Sequence, residues 1–478
     1  AMTLRKPARR HSNPLSIVRV KRKPWRPLSS EFSVFPIEAE HRTSWMRKIA
    51  ILQGVICLRA KHLLALTIYL SLTTGCASFQ IPEDPPTDFM NRAEAQHSEG
   101  VEVQAAILSE DVARHYFSTP LPRKEIQPVW IRINNQRDEP LVLNPLAVDK
   151  DYFSPSEAAW KSRSWGERKT DAKLTYFYDQ HIPLQSPPRA SATGFVYTNL
   201  DPSAKSFTIQ LLADSQSIEF DFVMVVPGFK ADFMRFDAQE RKPDDNLPDL
   251  DRQELQDYLA ALPCCVKGGD EVSPGDPLNL VIIGDGDHVF ANLVRRGWDL
   301  TELLTTSTAW KTVRSSLFVS LYRTSPVSPL YFFDRPQDAA LQKVRRNVDE
   351  RNHLRLWRAP VTYQRKPVWV GQISRDIGIK LSSKTLVTHR IDPFVDEART
   401  YLLLDLFESQ YVAWWGYVRG VGLTTMAEPR YNYTRDPYYT DGLRVVIVLG
   451  AEPLNYDQIR KLNWETPPHR QKIVRDSP

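Results

Sequence analysis

The sequence predicts a multidomain protein in which an all-β sandwich precedes an α+β domain with a mixed sheet. Apolar residues alternate with period two over about residues 100–240, whereas a buried apolar strand followed by a helix recurs over 252–455. An Asp- and Pro-rich linker, RKPDDNLPDLD at 241–251, separates the two patterns. With 478 residues, 42% hydrophobic and 25% charged, the chain is long and apolar enough for two or three globular domains.

The amino end is predicted to carry processing signals. Residues 1–45, an overlong start or basic extension, carry +7, and residues 46–75 carry +4, which leaves about −6 of the total +5 for residues 76–478. Since the folded part is acidic overall, we expect no nucleic-acid partner. Residues 46–75 begin with MRK and continue into a short apolar run, which is typical of a signal peptide.

This run ends in LTTGCAS, which resembles the bacterial lipoprotein box. Small residues precede Cys76, although Thr73 occupies the position where that pattern favours Leu. The resemblance implies lipid on Cys76, a membrane partner and, because Ala77 is not Asp, an outer-membrane lipoprotein facing the periplasm. Alternatively, the segment is an ordinary cleaved signal or a membrane anchor. The protein would then be in the inner membrane or soluble in the periplasm. Residues 76–100 are predicted to be a tether.

Over residues 100–240 we predict a sandwich of immunoglobulin-like type, serving as a binding or spacer module. Its half-buried strands follow from three alternating sets: Val129, Ile131 and Ile133; Phe207, Ile209 and Leu211; Ile218, Phe220 and Phe222.

Over residues 252–455 strand and helix patterns alternate, and residues 456–478 are predicted to be a tail. Strands are predicted at LNLVIIG, SPLYFF, HLRLW, PVWVGQI and LRVVIVLG, and helices at 287–296, 338–348 and 394–410. The helix over 338–348 is predicted because Leu341, Val344 and Val348 would lie along one side of it.

Several motifs of this part, in order, resemble the carboxy-terminal domain of the LssY family over about residues 255–450. They are GDPLNLVIIG, GWDLTE, SPLYFFDRPQDAALQK, RNHLRLWRAPVTYQRKPVWVGQISRDIGI, THRIDPFVDEAR and YYTDGLRVVIVL. The resemblance implies a bacterial envelope setting and supplies no reaction. The lipid-phosphatase signature found beside such domains is missing, because Ser374-Arg375 is followed by His389 too late.

One charge anomaly marks a candidate binding site. Residues 335–399 hold 14 Lys/Arg against 7 Asp/Glu, inside a folded part that is negative overall. Arginine forks match phosphate and carboxylate oxygens. We therefore expect this region to bind an anionic lipid, another anionic ligand or an envelope partner, or else to be a solvated face. The candidate ligand-binding residues are Arg335, Arg351, Arg355, Arg375 and Arg399.

The alternative function is a periplasmic hydrolase acting on a phosphate-bearing substrate. His353, His389 and Asp396 are the candidate acid/base groups, since imidazole titrates near neutrality. No metal-ligand spacing, nucleophile elbow or cofactor motif occurs, so neither a metal nor a cofactor is predicted and an enzyme is the less favoured interpretation. Adjacent Cys264 and Cys265 form either a vicinal disulfide or two separate buried thiols.

Overall fold

The computed structural model describes residues 79–163, 171–214, 216–232, 246–302, 323–344, 351–382, 386–468 and 473. The predicted extension, the signal peptide and Cys76 lie outside these residues. Within them, no helix is both long and apolar enough to cross a membrane.

The first half of the described chain is mostly strand. It consists of β1 (Glu94–Ser98), β2 (Val101–Ile107), α1 (Glu110–Phe117), β3 (Ile126–Asn135), β4 (Leu141–Asn144), α2 (Pro145–Val148), α3 (Pro155–Lys161), α4 (Asp171–Asp179), β5 (Gln185–Ser186), β6 (Ala190–Asn199), β7 (Ala204–Leu212) and β8 (Ser217–Val225), with short 3-10 helices at Asp88–Arg92 and Leu121–Lys124.

These strands form two antiparallel four-stranded sheets, ordered β1-β2-β3-β6 and β5-β4-β7-β8. The sheets share one hydrophobic core, to which Ile131 of β3, Ile209 of β7 and Phe220 of β8 contribute side chains that are at most 1% exposed. The alternating patterns in β3, β7 and β8 therefore correctly predicted these three strands, of which β3 and β7 lie inside their sheets and β8 at an edge.

The amino-terminal segment differs from the expected tether. Phe89 in the first 3-10 helix is only 1% exposed, and β1 pairs with β2 along its whole length. Phe79 already packs against Tyr176 of α4, with 5.9 Å between the ring centroids. Apolar burial and strand pairing thus tie the chain to the fold from the first described residue.

The second half combines helices with a large mixed sheet. Its elements are β9 (Asp249–Leu250), α5 (Arg252–Ala261), β10 (Cys265–Lys267), β11 (Pro274–Pro277), β12 (Leu280–Ile283), α6 (Gly286–Arg295), β13 (Asp299–Leu300), β14 (Tyr331–Phe332), β15 (Arg335–Pro336), β16 (Ala339–Val344), β17 (Arg351–Tyr363), β18 (Lys366–Ser382), β19 (Leu386–Ile391), α7 (Val395–Phe407), β20 (Val412–Arg419), β21 (Arg430–Tyr431), β22 (Pro437–Tyr438), β23 (Leu443–Leu449) and β24 (Arg460–Lys461), with a 3-10 turn at Tyr456–Gln458.

The ten-stranded sheet has the main order β13-β16-β17-β18-β12-β23-β20-β24. It is mixed, as predicted, because β12 and β23 are parallel while β12 and β18 are antiparallel. Side chains of α6 and α7 pack on one face of this sheet, and α5 packs on the other. The described chain is therefore mostly β, with several antiparallel sheets and one mixed sheet.

The predicted helix over residues 338–348 is wrong where the structure describes it. Ala339–Val344 is strand β16, which pairs antiparallel with β17 and sets Leu341 opposite Leu354. Leu341 and Gln342 are both buried and point to opposite faces of the strand. The sequence of this segment fits a period of two as well as a helical period, and pairing with the long strand β17 makes it a strand. Residues 345–348 lie outside the described range.

Candidate functional site

Two neighbouring strands, β17 and β18, bring the candidate site together. Along β17, Leu354 and Leu356 enter the core beneath α6 and α7, so Arg351, His353 and Arg355 occupy the other face. This is the arrangement that the alternation in HLRLW predicts. On that face all three polar side chains are buried, at 3%, 6% and 9% exposure.

Asp376 of β18 is the centre of the cluster and is 3% exposed. One of its carboxylate oxygens, Oδ2, lies 2.6 Å from His353 Nε2, 3.4 Å from Arg351 Nε and 3.7 Å from His389 Nδ1. Arg351 also donates to Gln342 Oε1 at 2.8 Å, and its Nη2 lies 3.4 Å from His389 Nε2. A carboxylate, a guanidinium and two imidazoles therefore share one buried site.

Burial and charge set the protonation states in this cluster. Burial lowers the pKa of His353 to about 4, against the opposing attraction of Asp376. At neutral pH the imidazole is therefore uncharged and donates its Nε2–H to Asp376. Burial alone would raise the pKa of the Asp376 carboxyl, but His353, His389 and Arg351 more than offset it and hold that pKa at about 2.

A second buried chain of hydrogen bonds begins at Arg355. Its guanidinium donates to Gln372 Oε1 at 3.1 Å and to the carbonyl of Ser328 at 3.2 Å. Gln372 donates in turn to Asp276 at 3.1 Å, and Asn432 donates to the other oxygen of that carboxylate at 2.8 Å. Burial disfavours the charged form of both side chains, so it lowers the pKa of Arg355 and raises that of Asp276.

Two polar atoms that β17 places on this face have no hydrogen-bond partner among the described residues. They are Nδ1 of His353 and Nε of Arg355, and neither is accessible to solvent. With Nε2–H donated to Asp376, Nδ1 of His353 is an acceptor, whereas Nε of Arg355 is a donor. Buried polar atoms of native proteins are nearly always hydrogen-bonded, so an unpaired acceptor and an unpaired donor two residues apart on one strand indicate a functional site.

The other predicted arginines do not join this cluster. Arg335 donates through two nitrogens to Asp338, at 3.1 and 2.8 Å. Arg375 extends from the opposite face of β18, where it donates to Asn352 Oδ1 at 3.1 Å and lies over the Tyr401 ring.

Asp396 and Arg399 form a separate ion network. Arg399 makes two hydrogen bonds with Asp441, at 2.8 and 2.6 Å, and Asp396 accepts from Thr440 Oγ1 at 2.8 Å. Asp376, rather than Asp396, is the carboxylate that contacts both histidines. The acid/base grouping expected from the sequence is therefore corrected at this residue.

Sequence reasoning missed Asp376, Gln372 and Asp276. Asp376 lies 23 residues from His353 and Asp276 lies 96 from Gln372, so only the strand register brings them together. In the structure His353 pairs with Ser374 and Arg355 with Gln372. A regular hairpin through YQRK would instead have paired Arg351 with Gly378, because the register shift between Arg358 and Thr362 moves the pairing by two residues. The sequence therefore offered no signal that aligned Arg351 with Asp376.

The adjacent cysteines are joined. Cys264 and Cys265 form a vicinal disulfide, and Cys265 Sγ lies 3.4 Å from the Tyr438 hydroxyl. Cys265 begins β10, whose neighbour β11 carries Asp276 of the buried network. The disulfide thus lies beside the structure that supports the candidate site.

Arg444 is a further buried charge, and it has a structural role. This side chain is 0% exposed and donates to six carbonyl oxygens. Those oxygens belong to Leu259, Leu262, Pro263, Leu278, Arg419 and Gly420. Burial lowers the pKa of Arg444 to about 10. Because three of these carbonyls lie at or just beyond the carboxyl end of α5, the cation satisfies acceptors that a helix end leaves unpaired.

Elsewhere the described residues offer an open cavity and no metal cluster. The cavity, of about 540 Å³, lies between β8 and α6 and is lined by Val223, Phe290 and Val294, with Arg295 and Tyr411 among its polar residues. In the described ranges, no group of three or more His, Cys, Asp or Glu side chains could hold a metal ion.

Fold and site together define a mixed-sheet domain with a buried His–Asp–Arg cluster at its centre. Residues 255–443 match the family described as the LssY C-terminus, which confirms the resemblance predicted over about residues 255–450. No curated protein and no solved structure matches the chain.

Proposed function

We propose that this protein is a lipid-anchored cell-envelope protein whose LssY C-terminal domain binds an anionic, phosphate-bearing ligand at the cluster on β17 and β18. One observation carries the proposal. Nε of Arg355 and Nδ1 of His353 are buried two residues apart on the same strand face, and neither has a hydrogen-bond partner among the residues that the structure describes. A ligand that supplies both an acceptor and a donor would complete the hydrogen bonding.

The charge state of Arg355 favours an anion as that ligand. Its two hydrogen-bond partners, an amide oxygen and a carbonyl, are both neutral, and burial lowers its pKa. A buried cation without a bonded carboxylate costs free energy that a bound oxyanion would offset. A monoprotonated phosphate has the hydrogen-bonding groups that both atoms lack, because its oxygens would accept from Arg355 Nε and its hydroxyl would donate to His353 Nδ1.

Hydrolysis of a phosphate-bearing substrate is the second candidate. The His353–Asp376 contact orients one imidazole nitrogen and leaves the other as an acceptor, which is the arrangement of a general base. However, a base with a pKa of about 4 is weak at neutral pH. Binding therefore fits the cluster better than catalysis does.

The anchoring part of the proposal places lipid on Cys76 and the protein on the periplasmic face of the outer membrane. Only two residues separate Cys76 from Phe79, which packs on Tyr176. The two sheets of the first half, proposed to be an immunoglobulin-like sandwich, then serve as the spacer that carries the ligand-binding domain. An envelope partner that presents a phosphate or carboxylate group would meet the same site.

Calorimetric titration of the full-length, detergent-solubilised protein tests the binding proposal. The probes are inorganic phosphate and glycerol 3-phosphate, with chloride as the competing anion at rising concentrations. We expect Arg355→Gln and His353→Gln each to weaken binding by roughly tenfold or more, the effect of losing one charge-assisted hydrogen bond. Arg375→Gln is the matched control, since Arg375 lies on the opposite face of the sheet.

Two results would contradict the proposal. One is an absence of binding to the unmodified protein at millimolar probe. The other is equal loss of binding in Arg355→Gln and Arg375→Gln proteins that both remain folded. Release of phosphate from p-nitrophenyl phosphate that disappears in the His353→Gln protein would establish the hydrolase instead.

A further inference from the structure

Four large apolar side chains are exposed on the part of the fold nearest the amino-terminal segment. Trp160 of α3 is 65% exposed, Tyr178 of α4 is 70% exposed, and Leu174 and Ile81 are 36% and 54% exposed. Leu174 and Tyr178 are four residues apart on α4, so they share one helix face. The opposite face of α4 buries Tyr176 and Phe177.

Lys173 shows that these elements lie side by side. From α4, its ammonium group donates to the carbonyl of Ser162, two residues beyond Trp160, at 3.2 Å. The same ammonium lies 5.4 Å from the centre of the Phe79 ring. The end of α3, the middle of α4 and Phe79, which is two residues before Ile81, therefore meet at one place.

The distance along the chain from the proposed lipid to this place is short. Three peptide steps lead from Cys76 to Phe79, and an extended chain advances at most about 3.5 Å per residue, or roughly 10 Å in total. Because Phe79 packs against Tyr176 and Lys173, the chain from Cys76 to the fold is no longer than these three steps. A lipid on Cys76 would bring the bilayer surface to α3 and α4.

We propose that Ile81, Trp160, Leu174 and Tyr178 form a membrane-contacting surface, which enters the interfacial region of the bilayer and fixes the orientation of the protein. This inference rests on the lipidation of Cys76 in the proposed function and adds a second, non-covalent contact. Trp and Tyr rings prefer the membrane–water interface, because their apolar bodies leave water there while their polar groups stay hydrated.

Charge supports an apolar rather than an electrostatic contact. Near the surface, Lys161 is paired with Glu125 at 3.7 Å, and Arg163 lies over the ring of Trp160 at 4.6 Å. The acidic Asp171 and Asp179 stand at the two ends of α4. Since cations and carboxylates are both present, we expect contact with zwitterionic and anionic lipid alike.

Fluorescence quenching by lipids with brominated acyl chains tests this surface in the full-length lipidated protein. The vesicles are phosphatidylcholine alone, or phosphatidylcholine with phosphatidylglycerol. We expect Trp160→Phe to remove roughly half or more of the bromine-dependent quenching in both, because among the described residues Trp160 is the tryptophan of the proposed surface. Trp414→Phe, which removes a half-buried indole on β20, is the control and should leave the quenching unchanged.

The outcomes separate this inference from the proposed lipidation. Protein that neither takes up a palmitate analogue nor binds vesicles refutes the lipidation, and the surface contact with it. Protein that is labelled and vesicle-bound but shows equal quenching with and without Trp160 overturns the surface contact alone. Quenching that requires phosphatidylglycerol, or a dimer in detergent that Trp160→Ser with Tyr178→Ser dissociates, would also overturn it.

Discussion

Replacing His353 with Gln should change how the stability of the protein depends on pH. Burial lowers the pKa of this imidazole to about 4 from an ordinary value of 6.5. As pH falls, the unfolded chain therefore takes up a proton before the folded protein does. The stabilisation linked to His353 is fully present above about pH 6.5 and is lost as pH falls towards 4.

The size of the effect follows from the difference between the two pKa values. A difference of about 2.5 pH units corresponds to about 3 kcal/mol of unfolding free energy across this window. The His353→Gln protein should lack this contribution. Its stability curve between pH 7 and pH 4.5 should be correspondingly flatter, although its stability at pH 7 is lower because the bond to Asp376 is weakened.

Urea titrations at several pH values, followed by tryptophan fluorescence, measure this difference. His97→Gln is the control for loss of an imidazole, since His97 lies exposed on β1. The reasoning is refuted if the folded His353→Gln protein loses stability with falling pH as steeply as the unmodified protein does.

Three further predictions concern the buried charges and the disulfide. Asp376→Asn should lower the free energy of unfolding by about 3–5 kcal/mol, because Arg351 then loses its buried carboxylate, and thermal unfolding would show this. Arg444→Met should cost about 3 kcal/mol or more in a urea titration, since it leaves carbonyl oxygens unpaired, and a cost below 1 kcal/mol would contradict this role. Cys264 and Cys265 should resist alkylation in unfolded, unreduced protein and take up two labels after reduction; labelling before reduction would exclude the bond.

Local periodicity predicted those elements whose environment repeats along the chain. HLRLW forms part of β17, with its leucines on one face and its polar residues on the other. The long helix over 394–410 is present as Val395–Phe407, with Val395, Ala398 and Leu402 buried. In both cases the apolar side of the element faces a core, and the period of its apolar residues therefore indicated the structure.

The elements that failed depended on partners distant in sequence. Ala339–Val344 becomes a strand because β17 offers it a complete edge. Within the tether expected over 76–100, the described residues 79–100 are packed instead, because Phe89 and β1 find partners in the first sheet and in the aromatic cluster beneath it. The period of apolar residues within one segment does not show which distant segments will pair with it.

The excess of positive charge over residues 335–399 also depends on partners that are distant in sequence. Arg335 bonds to Asp338 three residues away, but Arg399 bonds to Asp441, 42 residues away and outside the counted segment. A local charge count therefore overstates the cationic surface.

Among the five candidate arginines, Arg355 and Arg375 have no carboxylate within hydrogen-bonding distance in the described residues. Arg375 is half-buried beside the ring of Tyr401, whereas Arg355 is buried with an unpaired nitrogen. Solvent and an aromatic ring can stabilise the first cation, but solvent does not reach the Nε atom of the second. The case for an anionic ligand thus depends on Arg355, which makes the comparison of Arg355→Gln with Arg375→Gln the decisive one.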